Sequence, residues 1–468
     1  MIRLENLTVS YPLKQEPVLH GIDLVLPVGH IGLVVGGNDC GKTTLLNTVS
    51  GISATMYNAV LQGECRVEGK IGAVLQDSDL FLMPTVLEEL EFPLYHYWQN
   101  RKMVEERVAW LGDKLNLNYL MKRSIHTLSG GERQRVALAA ALAADAEVLI
   151  LDEPLAQLDS LSAKRTAAFI RELADSGKTI LLASTNTQFF HCITDSYFWL
   201  DQGKILWSGS PGSFLTQCPS ARLKGVDIYE YEPVKPKAEG KDSSRSDDYD
   251  KGDEVLHYSD VSYAYDSNFA LNMINLKIER GTTTAIVGEN GSGKTTFLKL
   301  AAAILKPDSG KIAVLGKDIS KLDIAEATAD SGFLFQNPDH QIFQSQVDKE
   351  LAWGLKKRGF SDTEVRVRVN SWLQKLGLEK YALDHPYALS KTFRQWIALA
   401  GVLVREPSLL LLDEPTFGMD TVSTARFAAL VKEAAGQGKS IVMITHNDAI
   451  ANICADRVIK MEKGRVLP

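Results

Sequence analysis

Gly288-Glu-Asn-Gly-Ser-Gly-Lys294-Thr295 decides the fold of this chain. The stretch follows an apolar run, Thr284–Val287, and precedes a predicted helix, Thr296–Ala303. A Gly-x-x-x-x-Gly-Lys-Thr loop between a strand and a helix surrounds phosphate groups with backbone N–H groups, and the helix N-terminus adds positive potential. Lys294 is then placed to bridge two phosphates, and Thr295 to ligate Mg²⁺. We therefore predict an α/β domain that binds ATP with Mg²⁺.

The same pattern occurs earlier in the chain as Gly36-Gly-Asn-Asp-Cys-Gly-Lys42-Thr43. It lies between the apolar run Ile31–Val35 and a predicted helix, Thr44–Val49. Two such loops in the same context exclude a chance match and predict a duplicated domain. The residues predicted to contact nucleotide in these loops are Gly36, Asn38, Gly41, Lys42, Thr43, Thr44, Gly288, Asn290, Gly291, Ser292, Gly293, Lys294, Thr295 and Thr296.

The first loop departs from the second at two positions. Asp39 and Cys40 stand where the second copy has Gly291 and Ser292. Aspartate tolerates a left-handed backbone better than most residues, but its charge near phosphates is expected to weaken binding. Cys40 is either a tolerated small residue or, because it begins a helix, a thiol with a lowered pKa.

Each copy then has an apolar run that ends in two carboxylates: Val148–Leu151 before Asp152 and Glu153, and Leu409–Leu412 before Asp413 and Glu414. Continuous apolar runs are typical of strands buried in a mostly parallel sheet. An aspartate at such a strand end suits Mg²⁺, and the glutamate after it can polarise the attacking water.

Equal spacings show how the two copies correspond. Leu128-Ser-Gly-Gly-Glu132, with the Ala-rich predicted helix Arg133–Ala144 behind it, has its counterpart in Leu389-Ser-Lys-Thr-Phe393. The serine precedes the aspartate by 23 residues in both copies, and the aspartate precedes Thr185 or His446 by 33 residues in both. Copy one therefore lacks the histidine, and copy two lacks both glycines.

The composition is that of a soluble globular protein. Of 468 residues, 45% are hydrophobic and 23% are charged, and the net charge of −7 argues against nucleic acid as a partner. Five cysteines without metal-ligand spacing indicate reduced thiols. No signal pattern and no run of 18 apolar residues occur, so we expect no membrane span. The predicted domains are 1–232 and 255–468, joined by a flexible tether, 233–254, that is poor in apolar residues.

With these motifs, the sequence resembles the ABC ATPase family over nearly its whole length. The resemblance implies an α/β fold of two P-loop nucleotide-binding domains in tandem, each a RecA-like core with a helical subdomain and an antiparallel β subdomain. Gln76 and Gln336 then match the glutamines that sense Mg²⁺ and the transporter, Asp159 and Asp420 match the D-loop, and His446 holds the γ-phosphate. Tyr11 and Tyr265 lie where an aromatic ring stacks on adenine, although a core or edge role explains them nearly as well.

The family also implies head-to-tail pairing, in which the serine and glycines of one copy contact the nucleotide held by the other. The complete site then combines Lys294, Thr295, Gln336, Asp413, Glu414 and His446 with Ser129, Gly130 and Gly131. The other combines Lys42, Thr43, Gln76, Asp152 and Glu153 with Ser390, Lys391 and Thr392. Of these residues, Thr43, Gln76, Asp152, Thr295, Gln336 and Asp413 are the predicted Mg²⁺ ligands. The substitutions at the Lys42 site are expected to affect ATP hydrolysis more than ATP binding. The side chains of Lys391 and Thr392 hinder the close approach of the backbone to the nucleotide that glycines permit.

Phe335-Gln-Asn-Pro-Asp-His-Gln-Ile-Phe343 and Val347-Asp-Lys-Glu-Leu-Ala-Trp-Gly354 are similar to a region of energy-coupling factor (ECF) ATPases. This implies peripheral binding at the cytoplasmic face of the cell membrane, with a transmembrane T subunit and a substrate-binding S subunit. We expect exposed Ile342, Phe343 and Trp353 to face the T subunit. Two alternatives stay open: a tandem ABC protein acting on the ribosome, and the fused ATPase of a sugar importer. The sequence does not indicate whether the solute is a vitamin, a vitamin precursor or a metal ion, because a separate subunit binds the solute in this family.

Overall fold

The computed structural model describes residues 1–12, 16–75, 81–97, 100–143, 145–185, 187–218, 226, 254–265, 268–319, 322, 326 and 328–467. The chain divides into two compact units, whose main segments are 1–231 and 232–418 with 423–468. Residues 233–253 of the predicted tether lie outside the described residues. Glu254, the last residue of the predicted tether, is the first residue of a strand.

The first unit contains nine strands and seven α-helices in its described part. The strands are β1 (Ile2–Ser10), β2 (Leu19–Leu26), β3 (Ile31–Val35), β4 (Val60–Val67), β5 (Ile71–Val74), β6 (Val148–Asp152), β7 (Thr179–Ser184), β8 (Ser196–Asp201) and β9 (Lys204–Gly209). The helices are α1 (Lys42–Val49), α2 (Ile52–Thr55), α3 (Val86–Tyr97), α4 (Arg101–Lys114), α5 (Gly130–Ala143), α6 (Ser160–Asp175) and α7 (Pro211–Gln217).

A six-stranded sheet with the order β5-β6-β7-β3-β8-β9 forms the centre of the first unit. All neighbours are parallel except β8 and β9. Every residue of β3, β6 and β7 is buried, which explains why the interiors of these strands are apolar. A separate antiparallel sheet, β2-β1-β4, and a helical part with α3, α4 and α5 complete the unit.

The second unit repeats this plan. Its strands are β10 (Glu254–Tyr265), β11 (Asn268–Glu279), β12 (Thr283–Val287), β13 (Ser309–Val314), β14 (Lys317–Asp318), β15 (Ser331–Leu334), β16 (Leu409–Asp413), β17 (Ser440–Ile444), β18 (Arg457–Glu462) and β19 (Arg465–Val466). Its helices are α8 (Lys294–Ala301), α9 (Val347–Lys357), α10 (Asp362–Leu376), α11 (Lys391–Leu403), α12 (Thr421–Gly436) and α13 (Asp448–Cys454).

The central sheet of this unit has the order β15-β16-β17-β12-β18-β19, which is the order of the first unit. An antiparallel sheet, β11-β10-β13-β14, again lies apart from it. The phosphate loops therefore follow the equivalent central strands β3 and β12, at the carboxyl ends where parallel α/β sheets bind ligands. The two P-loop domains with helical and antiparallel β parts confirm the predicted fold class.

No helix in the described residues is long and apolar enough to cross a membrane.

Candidate functional site

Both phosphate loops enter their helices through a left-handed glycine. Gly41 caps α1 with a φ of 109°, and Gly293 caps α8 with a φ of 96°. Residues with a Cβ rarely adopt this conformation, so glycine is required where the loop turns into the helix. Thr44 and Thr296 lie in the first turns of these helices, whose free N–H groups provide the positive end for a phosphate.

The loop lysines are buried and hold their loops closed. The Nζ of Lys42 donates hydrogen bonds to the carbonyls of Gly36 (2.9 Å) and Gly37 (2.7 Å). The Nζ of Lys294 makes the same two contacts with the first two carbonyls of its own loop, both at 2.8 Å. These positions keep an ammonium group inside each loop, at the place where phosphate oxygens need a cation.

The first loop keeps the backbone path of the second although its sequence differs. Asp39 has a φ of 60° where Gly291 has 80°, so the left-handed position is retained with an aspartate. Cys40 is buried like Ser292. Burial raises the pKa of the Cys40 thiol more than nearby Lys42 lowers it, so the alternative of a lowered thiol pKa is wrong. Cys40 is a small residue that fits the loop.

A hydroxyl and a carboxylate meet beside each loop. Thr43 Oγ1 donates to Asp152 Oδ2 at 2.7 Å, and Thr295 Oγ1 donates to Asp413 Oδ1 at 3.3 Å. These oxygens fit Mg²⁺, which binds proteins through one or two hard oxygen groups and takes its other ligands from phosphates and water. Accordingly, no group of three or more potential His, Cys, Asp or Glu ligands occurs among the described residues.

The carboxylates of the second copy are deeply buried. Burial raises the pKa of Asp413 to about 6 and that of Glu414 to about 7, and the Asp413 charge adds to the effect on Glu414. His446 faces Glu414: its backbone N–H donates to Oε2 at 3.2 Å, and its Nε2 lies 3.2 Å from Oε1. The predicted glutamate and histidine are therefore neighbours in one copy.

The equivalent carboxylate of the first copy has different partners. The Oγ of Ser184 donates to Glu153 Oε2 at 2.8 Å, and the backbone N–H of Thr185 donates to Oε1 at 2.7 Å. Both glutamates have a left-handed backbone, with φ of 49° for Glu153 and 47° for Glu414. The turns are alike, so the difference lies in the groups that face the carboxylates.

Ser129 begins α5 with a reciprocal cap. Its backbone N–H and its Oγ donate to Glu132 Oε2 at 2.8 and 2.9 Å, which satisfies donors at the helix start. Gly130 and Gly131 follow in the first turn. A Cβ added to Gly130 would overlap the Oε1 of Gln157, so any side chain there displaces Gln157.

Two positions differ together in the second copy. Lys391 stands where copy one has Gly130, and Gly418 stands where copy one has Gln157, 28 residues after the serine in both cases. Space beside Gly418 is open, and its φ is 72°. Ser390 still caps α11 by accepting from the N–H of Phe393, but Phe393 replaces the glutamate of the reciprocal cap. The second helix start is thus built differently, with its Lys391 ammonium 5.8 Å from the Phe417 ring centroid.

The predicted adenine-stacking residues are tyrosines at the ends of β1 and β10. The hydroxyl of Tyr11 lies 3.2 Å from Ser53 Oγ, and its ring meets Tyr57 edge to face. Tyr265 is exposed, with its ring edge against Tyr263. Gln336 is exposed just after β15, whereas Gln76 lies outside the described residues. Asp159 caps α6 by accepting from two backbone N–H groups.

The ECF-like segment exposes two of its three predicted apolar residues. Phe343 is 59% exposed and Trp353 is 43% exposed, and their rings are in edge-to-face contact at 5.3 Å. Ile342 is only 4% exposed, so its predicted exposure is wrong: in this loop the neighbouring side chain, Phe343, takes the outer position. Glu350 fixes the loop, because its buried Oε2 accepts from the N–H groups of Phe343 (3.0 Å) and Gln344 (2.7 Å).

Copy one has the same arrangement with different side chains. Leu82 and Phe92, at the positions of Phe343 and Trp353, are 70% and 49% exposed. The buried Oε2 of Glu89 accepts from the N–H groups of Leu82 (2.9 Å) and Met83 (2.8 Å). Each unit therefore exposes one apolar residue on a loop held by a buried glutamate and a second on the helix that follows.

Comparison with known proteins shows the family. A model of the family described as ABC transporter matches residues 19–156 and 271–417. The chain belongs to the ABC transporter ATPase family. It is a tandem ABC ATPase of the transporter kind, an enzyme that binds and hydrolyses ATP in a reaction coupled to transport. As in its relatives, this role implies a membrane partner.

Full-length relatives agree with this assignment. "Putative ABC transporter ATP-binding protein" of Methanosarcina mazei is 32% identical over 100% of this chain and 94% of its own length. "Putative HMP/thiamine import ATP-binding protein YkoD" of Bacillus subtilis is 29% identical over 98% of this chain and 89% of its own length. A structure of ribosome-bound archaeal Pelota and ABCE1 matches with a TM-score of 0.71 at 22% identity, covering 98% of this chain and 78% of that one. At that identity, the likeness shows the fold alone.

Sequence reasoning missed Ser184, Gln157 and the glutamates under the apolar loops. Each lies within or beside a stretch that the motifs mark, but its role depends on a hydrogen bond or a steric contact that a motif does not encode. The equal spacings that paired Thr185 with His446 also pair Ser184 with Thr445 and Gln157 with Gly418. Extending that comparison along each copy would have marked both positions as differing.

Proposed function

We propose that this ABC ATPase energises an ECF-type importer of a vitamin, a vitamin precursor or a metal ion. The observation that carries the proposal is the exposed aromatic pair formed by Phe343, on a loop held by Glu350, and Trp353, on helix α9. An exposed aromatic pair whose backbone is fixed by a helix and by hydrogen bonds is typical of a protein-binding surface. In a chain of this family, a cytoplasmic helix of a transmembrane T subunit is the partner that fits it. The name of the Bacillus subtilis relative, which refers to thiamine import, supports this class of solute.

The same surface is joined to the start of α11. Arg394 Nε donates to Asp339 Oδ1 at 2.6 Å, and Arg394 Nη1 donates to the carbonyl of Leu389 at 2.8 Å. The hydroxyl of Tyr387 donates to the carbonyls of Asp339 (3.2 Å) and Ile342 (3.1 Å). A partner that moves the loop would therefore also move the residues around Ser390. This is a physical route by which transport is coupled to nucleotide.

The two ATP sites are proposed to be unequal and to be formed by head-to-tail pairing of the domains. Glu414 and His446 adjoin each other in the second copy, and Gly130 and Gly131 are available in the first for the nucleotide on Lys294. The nucleotide on Lys42 meets Lys391 and Thr392 instead. We assign hydrolysis to the Lys294 site and binding with slow or no hydrolysis to the Lys42 site, each with Mg²⁺ on its threonine and aspartate oxygens.

The location that follows is peripheral, on the cytoplasmic face of the cell membrane, through T-type and S-type partners. Cell lysis and fractionation test this. We expect the chain in the membrane fraction, recovered with a small integral membrane protein. Recovery with ribosomes would contradict the proposal and support the ribosomal alternative.

Head-to-tail pairing has its own test. Ser129→Arg should suppress hydrolysis by the Lys294 site, although the two residues belong to different domains. Full activity of this variant, with nucleotide bound normally, would contradict the pairing.

A further inference from the structure

A serine hydroxyl contacts the predicted water-activating carboxylate of the first copy. Ser184, the last residue of β7, donates from Oγ to Glu153 Oε2 at 2.8 Å. The N–H of Thr185 donates to the other oxygen at 2.7 Å. Ser184 is only 4% exposed, so bulk water competes little for this hydrogen bond. Both oxygens of Glu153 therefore accept short, charge-assisted hydrogen bonds from the protein.

The second copy lacks this hydroxyl contact. Thr445 stands at the position of Ser184, and its Oγ1 instead accepts from the N–H of Asn447 at 3.0 Å. Glu414 Oε2 accepts only a longer backbone bond, 3.2 Å, from His446. No hydrogen bond to its Oε1 is formed within the described part of the chain, although His446 Nε2 lies 3.2 Å away. Glu414 Oε1 is therefore buried beside the His446 imidazole and, unlike either oxygen of Glu153, accepts no hydrogen bond from the described chain.

We propose that Ser184 is a positioning residue that holds Glu153 in an orientation unable to activate water, which suppresses hydrolysis in the first copy. The inference rests on the roles of Glu153 and Glu414 proposed above. A general base must reach the proton of the attacking water within hydrogen-bond distance. A carboxylate whose two oxygens both accept short bonds from the protein is a weaker acceptor for that water, because these donors already occupy it. The weak hydrolysis proposed for the first copy then has a specific cause besides the missing histidine and glycines.

The sharpest test transfers the serine to the competent copy. Thr445 is changed to Ser or to Ala in the full chain, and steady-state ATP turnover is measured. Serine lacks the methyl group that restricts the threonine rotamer, so its hydroxyl is free to turn to Glu414. We expect Thr445→Ser to lower kcat by about tenfold relative to Thr445→Ala, a part of the roughly 10²–10⁴-fold that a general base contributes, with KM for ATP little changed. A merely structural role predicts the reverse order, because serine resembles threonine more than alanine does.

A second comparison removes the hydroxyl from the first copy. The background carries Glu414→Gln to silence the Lys294 site, and Thr185→His, Lys391→Gly and Thr392→Gly to restore the other groups. Adding Ser184→Ala should raise kcat by about tenfold or more. Equal turnover with and without Ser184→Ala, or a Thr445→Ser chain as active as Thr445→Ala, would overturn the inference. Absence of ATP hydrolysis by the wild-type chain would instead overturn the proposed function, so the two failures are distinguishable.

Discussion

The Nε2 of His446 lies 3.2 Å from Oε1 of Glu414, and the backbone N–H of His446 donates to the other oxygen of the same carboxylate. One residue thus contacts both oxygens of Glu414 from the end of the neighbouring strand. At the equivalent place in the first copy, Thr185 reaches Glu153 through its backbone N–H alone. A duplicated chain therefore contains two carboxylates on the same turn with different side chains against them.

The first prediction compares these two carboxylates. Glu414→Gln should abolish nearly all ATP turnover, because only this glutamate adjoins a histidine. Glu153→Gln should leave more than about half of the ATP turnover. The Lys42 site lacks the histidine and the opposing glycines, so it is expected to contribute little to the rate. Steady-state phosphate release from the assembled complex measures both. Equal losses would show that the two sites contribute alike.

The second prediction concerns pH in the absence of nucleotide and metal. Burial raises the pKa of Glu414 to about 7 in the folded chain, so the folded state holds its proton more tightly than the unfolded state does. The free energy of unfolding should therefore fall as pH rises from the ordinary carboxyl range to 7, and then level off. The glutamine of the Glu414→Gln variant does not ionise. The variant should therefore not lose this part of the free energy of unfolding, which amounts to about 3 kcal/mol.

Urea unfolding with a chelator at pH 5 and pH 8 measures the effect. The advantage of Glu414→Gln over wild type should be larger at pH 8. Glu462→Gln, at an exposed position of β18, is the matched control and should show no such trend. An advantage that is the same at both pH values would contradict the raised pKa.

The third prediction concerns membrane docking. Phe343→Asp should release the chain from membranes and leave nucleotide binding intact, because a charge in the exposed aromatic pair cannot be covered by an apolar helix. Val458→Asp is the control, since Val458 is 49% exposed on β18 and lies outside the proposed surface. Copurification with the membrane protein is the measurement. Unchanged stoichiometry for Phe343→Asp would rule out this docking surface.

The fourth prediction concerns the fit between Gly130 and Gln157. Gly130→Ala should reduce ATP turnover, because its Cβ displaces the Gln157 side chain. Gln157→Ala in the same chain should recover part of the loss, giving a coupling of about 1 kcal/mol in a double-mutant cycle. Additive effects of the two substitutions on ATP turnover would show that the Gln157 side chain does not restrict the size of the residue at position 130.

The central strands and phosphate loops could be predicted because their signals are local. The apolar run Val148–Leu151 forms β6 with Asp152 at its end, and the predicted helix Thr44–Val49 lies within α1. The environment of Glu153 could not be predicted, since Ser184 lies 31 residues away and a single serine carries no pattern. Ile342 was misplaced for a related reason: composition shows that the loop is apolar, but only the folded backbone determines which side chain faces inward.

The paired differences at Lys391 and Gly418 have a consequence for exchanging residues between the two copies. A glycine at 391 changes only the helix start, whereas a glutamine at 418 would be strained by the left-handed backbone of that position, with φ of 72°. A lysine at 391 and a glycine at 418 therefore form a matched pair, as do Gly130 and Gln157 in the first copy. Exchanging one member alone, in either half, is expected to disturb the start of the helix that follows the serine.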